Sequence, residues 1–185
     1  TNIDVELTVS KRSGIHKYQF PSPENQFVIL DLLHRDKVLD AKIIKVSDTE
    51  IVGYRFSEAW ASDQRLYFAI KTSHSFKDVL QSPTKQAMPG AQKIALNFRN
   101  PKNEALTIKI GISAVDIAGA KKNLEGEIGN QTFDQVKKVA QDFWEQQLEK
   151  IVLEDPNEDN KTNFYTSLYH VSIAPNLYQD IDGRY

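Results

Sequence analysis

Ile108-Lys109-Ile110-Gly111-Ile112-Ser113-Ala114-Val115-Asp116-Ile117-Ala118-Gly119-Ala120-Lys121-Lys122-Asn123-Leu124 is the stretch in which the hydrophobic period of this chain changes. Up to Ser113 the apolar residues alternate, the two-residue repeat of a strand with one buried face. From Ile117 they fall at Ala120, Leu124 and Ile128, three or four apart, which is the repeat of a helix. Strands precede this point and helices follow it, without interleaving. That order predicts an α+β arrangement or two domains in series.

Upstream of the switch, Ile3, Val5, Leu7 and Val9 alternate with Asp4, Glu6, Thr8 and Ser10, and the pattern resumes over 15–20 after Ser13-Gly14. Pro21-Ser22-Pro23-Glu24-Asn25 is a loop signal. The near-continuous apolar run over 27–33 predicts a strand covered on both faces. Segments 38–46 and 50–56 flank Ser47-Asp48-Thr49, a hairpin connection, and 64–72 alternates again. Residues 75–90, with Pro83, Pro89 and Gly90, read as a long surface loop, followed by strands over 92–97 and 105–113. About eight short strands at this spacing predict an antiparallel β-sandwich.

Downstream, Gly126 and Gly129 weaken the end of the first helix. Thr132 opens a second, with Gln135 placed to complete a capping box. Val136, Val139, Ala140, Phe143, Leu148 and Ile151 form its apolar stripe, widened by Trp144. That helix is expected to run to about residue 153, where Asp155-Pro156-Asn157 stops it, and a third covers 158–173. Phe164, Leu168, Tyr169 and Tyr178 then crowd the closing stretch with no later element to cover them. So much apolar surface normally marks an interface, so the chain is expected to be a piece of something larger.

Composition narrows the partners. Among 185 residues, Lys plus Arg (23) and Asp plus Glu (25) give a net charge of −2. The densest basic pairs, Lys121-Lys122 and Lys137-Lys138, lie beside Glu125, Glu127, Asp134 and Asp142, as on solvated helix faces. No basic stripe points to nucleic acid, and no apolar run approaches the ~20 residues of a membrane span. The absence of cysteine excludes disulfides, thiolate metal sites and a cysteine nucleophile.

No catalytic constellation is legible from spacing. Of His16, His34, His74 and His170, none forms a His-x-x-x-His pair; His170, after Tyr169, is the one candidate for substrate contact, against a plain hydrogen-bonding role. Asp180 and Asp182 are either oxygen ligands for a sugar or hard cation, or, with Gly183, part of a turn. Trp60, with Tyr54, Phe56 and Tyr67, is either a sugar-stacking platform or core. Asn130-Gln131-Thr132 and Asn160-Lys161-Thr162 match the glycosylation sequon, a triplet common by chance.

The order of these segments resembles glycoside hydrolase family 92. Val5-Glu6-Leu7-Thr8-Val9-Ser10 with Gly14-Ile15-His16-Lys17-Tyr18-Gln19-Phe20-Pro21 resembles that family's strand pair ending in Phe-Pro. Gly53-Tyr54-Arg55, Ala59-Trp60-Ala61, Gln64 and Leu66-Tyr67-Phe68 resemble its Gly-Tyr-Arg and Trp-Ala…Tyr-Phe signature. Residues 108–113, then Ala120, Asn123-Leu124 and Glu127, resemble its last strand and following helix. Trp144 and Leu148 fit its linker helix, and residues 164–185 the start of its helical barrel.

The resemblance implies a mostly β chain with C-terminal helices: an antiparallel β-sandwich (1–114, its opening part missing), linker helices (115–156) and the first helix of an (α/α)6 catalytic barrel (157–185). It implies an exo-acting, calcium-dependent α-mannosidase, α-1,2 linkages being the expected target, that removes terminal mannose with inversion. In such chemistry one carboxylic acid protonates the leaving oxygen while a carboxylate about 6.5–9.5 Å away activates water. The family's acid, base and calcium ligands lie beyond the position of Tyr185. No catalytic or metal residue therefore transfers to this chain, which alone is expected to be inactive. The implied partners are a mannose-containing glycan and the remainder of the polypeptide, in a bacterial periplasm or outside the cell. A non-catalytic carbohydrate-binding module and a structural interaction domain are the competing readings.

Overall fold

In the computed structural model, which describes residues 2–81 and 93–185, nine strands precede three helices. They are β1 (Asp4–Val9), β2 (Ser13–Gln19), β3 (Phe27–Asp31), β4 (Lys37–Lys45), β5 (Glu50–Glu58), β6 (Gln64–Thr72), β7 (Phe76–Gln81), β8 (Lys93–Phe98), β9 (Leu106–Ser113), α1 (Ile117–Glu127), α2 (Phe133–Leu148) and α3 (Glu158–Ser172). A six-stranded antiparallel sheet runs β1-β2-β9-β6-β5-β4, and a three-stranded one runs β3-β8-β7.

The two-residue repeat sorts side chains into two cores. Phe68 and Ile70 of β6 and Ile108 of β9 point into the space between the sheets, where they meet Phe76, Ile94, Leu96 and Phe98. Ala69 of β6 and Ile15 of β2 point the other way, beneath Leu124, Ile128, Phe133 and Val136 of the helical layer. Burying one such leucine stabilises by roughly 1.5–3 kcal/mol. The result is three layers, sheet on sheet on helices. Gly111 lets α1 lie close to β9: a Cβ there would stand 2.4 Å from the Ala120 carbonyl oxygen and 2.6 Å from Leu124 Cβ.

Helix signals act as read. Thr132 and Gln135 exchange both bonds of a capping box at the start of α2. Gly129, at φ +46°, closes α1 with its amide donating to the Leu124 carbonyl at 3.0 Å. Three expectations change. Residues 76–81 of the presumed loop form β7, whose Phe76 is 1% exposed, because β8 supplies a hydrogen-bonding partner; Pro83, Pro89 and Gly90, and Gln92 at the start of the next expected strand, lie outside the described residues. The apolar run at 27–33 yields an edge strand, Phe27–Asp31, with Ile29 64% exposed, since within the strand only Val28 and Leu30 reach the core, which Leu32 joins just beyond its end. And α2 stops at Leu148, earlier than expected, leaving Asn157 to cap α3.

Beyond Val136 packing thins out. No residue of α3 is buried, and none is from Lys137 to Gln179. Val139 and Phe143 continue the stripe of α2 past the edge of the sheet and are exposed.

Candidate functional site

The loop joining β5 to β6 carries Trp60, which is 100% exposed. Full exposure rules out the core alternative for this residue. Its three aromatic neighbours in sequence behave differently. The alternation that buries Val52 under α1 places Tyr54 and Phe56 on the same face farther along β5, where both are partly covered. Tyr54 stacks on Phe56 at 4.7 Å between centroids, and Tyr67 meets Phe56 edge-on at 5.5 Å. The Arg65 guanidinium lies 5.4 Å from the Phe56 ring and pairs with Asp63.

Asp180 takes the opposite course and is 3% exposed. Its Oδ2 accepts from the Ser113 hydroxyl at 2.8 Å and its Oδ1 from the Asn123 amide at 2.7 Å. Around it the chain makes a turn: the Gly183 amide, at φ +85°, donates to the Asp180 carbonyl, and the Asp180 amide to the Arg184 carbonyl. Asp182 sits at the rim, 2.9 Å from Lys122 Nζ and 3.1 Å from Arg184 Nε. Lys122 first, then Arg184, hold its carboxyl down at about 2. Asp116, the N-cap of α1, is lowered by the Arg184 guanidinium and by the Gly119 amide it accepts from. Arg184 is raised in turn, by Asp116 and then Asp182.

Between the terminal segment and the loop end of the β5–β6 hairpin lies a cleft of about 130 Å³, walled by Gln64, Arg65, Leu66, Leu177, Tyr178 and Arg184. The fold thus brings Asp180 and the hairpin that bears Trp60 to one side of the sheet. His170 is elsewhere: it occupies the last turn of α3, exposed, its ring 5.8 Å from that of Tyr169. Sequence reasoning placed Ser113 and Asn123 only in the strand–helix resemblance and did not foresee them, or Asp116, as members of this network. Only the spacing Asp116-x-x-Gly119 carried a signal, as a helix cap.

A calcium ion does not fit this carboxylate pair. It needs six to eight oxygens at about 2.3–2.6 Å. Both Asp180 oxygens already accept from protein donors, and Asp182 faces two cations. Among the described residues no group of three or more His, Cys, Asp or Glu is placed to hold a metal, and no helix is long and apolar enough to cross a membrane.

Family models match almost the whole chain. The glycosyl hydrolase family 92 N-terminal domain covers residues 1–113, and the glycosyl hydrolase family 92 catalytic domain covers 119–185. Among solved structures, the family GH92 alpha-mannosidase BT3965 from Bacteroides thetaiotaomicron is similar at a TM-score of 0.83 and 25% identity, over 97% of this chain and 26% of that one. The inverting mannosidase BT2199 from Bacteroides thetaiotaomicron VPI-5482 gives 0.82 and 21%, over 98% and 26%, and the family glycosyl hydrolase ccman5 gives 0.81 and 19%, over 98% and 27%. These last two show the shared fold alone. The chain spans about a quarter of the length of these structures. No curated protein matches it.

Proposed function

The chain belongs to glycosyl hydrolase family 92, and from that premise we propose that it forms part of an exo-acting α-mannosidase. The observation that carries the reading is the pair of family models, an N-terminal domain followed by a catalytic domain, with a likeness to the alpha-mannosidase BT3965 over 97% of the chain. In this reading residues 1–114 are sandwich, 115–156 link, and 157–185 open the helical catalytic domain; the change of family model between 113 and 119 supports the first boundary. The substrate is a glycan ending in α-linked mannose, with α-1,2 linkages expected, met in the periplasm or outside a bacterial cell. Hydrolysis proceeds with inversion, the stereochemistry for which BT2199 is described. The acid, the base and the calcium ligands are assigned to the rest of the polypeptide; the two candidate carboxylates of the closing segment, Asp180 and Asp182, are already engaged by protein donors.

The full-length polypeptide with calcium is expected to release mannose from α-1,2-mannobiose, the first-formed sugar having the inverted anomeric configuration by NMR, while residues 1–185 alone release none. Turnover by residues 1–185 alone would refute the assignment of the catalytic groups. A second reading, a carbohydrate-binding module, draws support from the full exposure of Trp60. Mannobiose binding by residues 1–185 that Trp60→Ala abolishes, with circular dichroism unchanged, would favour it.

A further inference from the structure

We propose that Asp180 is a positioning residue, whose carboxylate fixes where the chain leaving α3 returns to the sandwich and so sets the terminal wall of the cleft. The proposal rests on the mannosidase reading above and adds to it that this cleft forms the sandwich side of the sugar site.

Side-chain packing within this chain does little to set the path of residues 173–179, which are all exposed. Contact with the interior resumes at Asp180, and there the hydrogen bonds have a fixed polarity. Asn123 spends both amide protons, on the Ile112 carbonyl and on Asp180 Oδ1, while its oxygen accepts from the Ile181 amide. The Ser113 oxygen accepts from the Val115 amide, which leaves its proton for Asp180 Oδ2. Two donors therefore converge on residue 180, and only a side chain with two acceptor oxygens satisfies both. Asparagine is the same size yet must turn an NH2 against one of those donors. The socket is shaped as well as wired: a Cβ on Gly119 would fall 2.1 Å from Asp180 Oδ2. Arg184 reaches the same carboxylate at 3.7 Å, and Arg12 of the β1–β2 hairpin donates to the Gln179 carbonyl on the other side. One carboxylate thus ties the segment to the end of β9 and to the middle of α1.

The test uses the full-length polypeptide with Asp180→Asn, Gly119→Ala and Asp182→Ala. In Asp180→Asn and Gly119→Ala, hydrogen exchange at the Ile181 and Gly183 amides is expected to quicken by about tenfold or more. The Ile70 amide, deep in the sheet, should keep its protection, which shows that the variants fold. Asp182→Ala removes exposed ion pairs and one long contact from the Arg184 amide, and exchange at both amides should stay within about twofold of wild type. On α-1,2-mannobiose with calcium, Asp180→Asn is expected to raise KM by about tenfold with kcat nearly unchanged, the signature of a displaced binding wall. Unchanged exchange at Ile181 and Gly183, or an unchanged KM in an active enzyme, would overturn the proposal. Faster exchange in a polypeptide that never hydrolyses the mannoside would refute the enzymatic reading and support the fastening role.

Discussion

Glycines 119 and 126 sit seven residues apart on α1, and the same substitution should affect them oppositely. In a helix interior Ala is worth about 1 kcal/mol over Gly. At position 119 that gain meets a buried carboxylate and the Ser113 hydroxyl, 2.1 and 2.7 Å from the new Cβ, so Gly119→Ala should destabilise by about 1–3 kcal/mol in urea unfolding. At 126 the obstacle is the Cδ1 of Ile181, the free end of an exposed side chain that can rotate away, so Gly126→Ala should be neutral or stabilise by up to about 1 kcal/mol. Acid tests the rim. The folded pKa of Asp182 lies at about 2, below its ordinary 3.8, so its contribution to stability is present above about pH 4 and is lost as the pH falls toward 2. Thermal unfolding of Asp182→Asn should show a shallower fall over that window than wild type. Residues of this kind were only half legible in sequence. Asp180 stood out as a carboxylate beside a turn, but its partners Ser113 and Asn123 are 67 and 57 positions away, and no local pattern announces a contact that distant.

Elements with local causes were read best. Thr132 and Gln135 name the start of α2 because both bonds of the box lie within four residues. Thr132→Ala should cost about 1 kcal/mol, measured by urea unfolding, through the lost cap. Glycine at 129 ends α1 for an equally local reason, the positive φ that it tolerates. Elements defined by a distant partner were read worst. Strand β7 hides in a stretch that proline and glycine make look like loop, and it is a strand because β8 pairs with it. Strand β3 looks doubly covered because hydrophobicity reports residue type, whereas an edge position is a property of the sheet.

At the scale of the molecule, the change of period at Ser113 was sufficient to separate the strands from the helices, and the family resemblance supplied the rest. What the period does not show is that α1 and α2 roof the large sheet while α3 stands clear of it. Regions without buried contacts open at low free-energy cost. In residues 1–185, limited trypsin digestion should therefore cut after Lys150, in the exposed turn between α2 and α3, well before it cuts after Lys109 in the middle of the sheet, as read by mass spectrometry.

The order of strands in the large sheet carries a cost in time. Strand β2 pairs with β9, Ile15 opposite Lys109, so the sheet cannot close around its centre until nearly all nine strands exist. On the ribosome the early β1–β2 hairpin must wait, one backbone edge unsatisfied, through the synthesis of some ninety residues. Closing so large a ring is slow, which puts folding in the millisecond-to-second regime typical of sandwiches. Throughout that delay the nascent chain offers a sticky template to its neighbours, and a trigger-type holdase that shields it should raise the yield more than any added helix stability would.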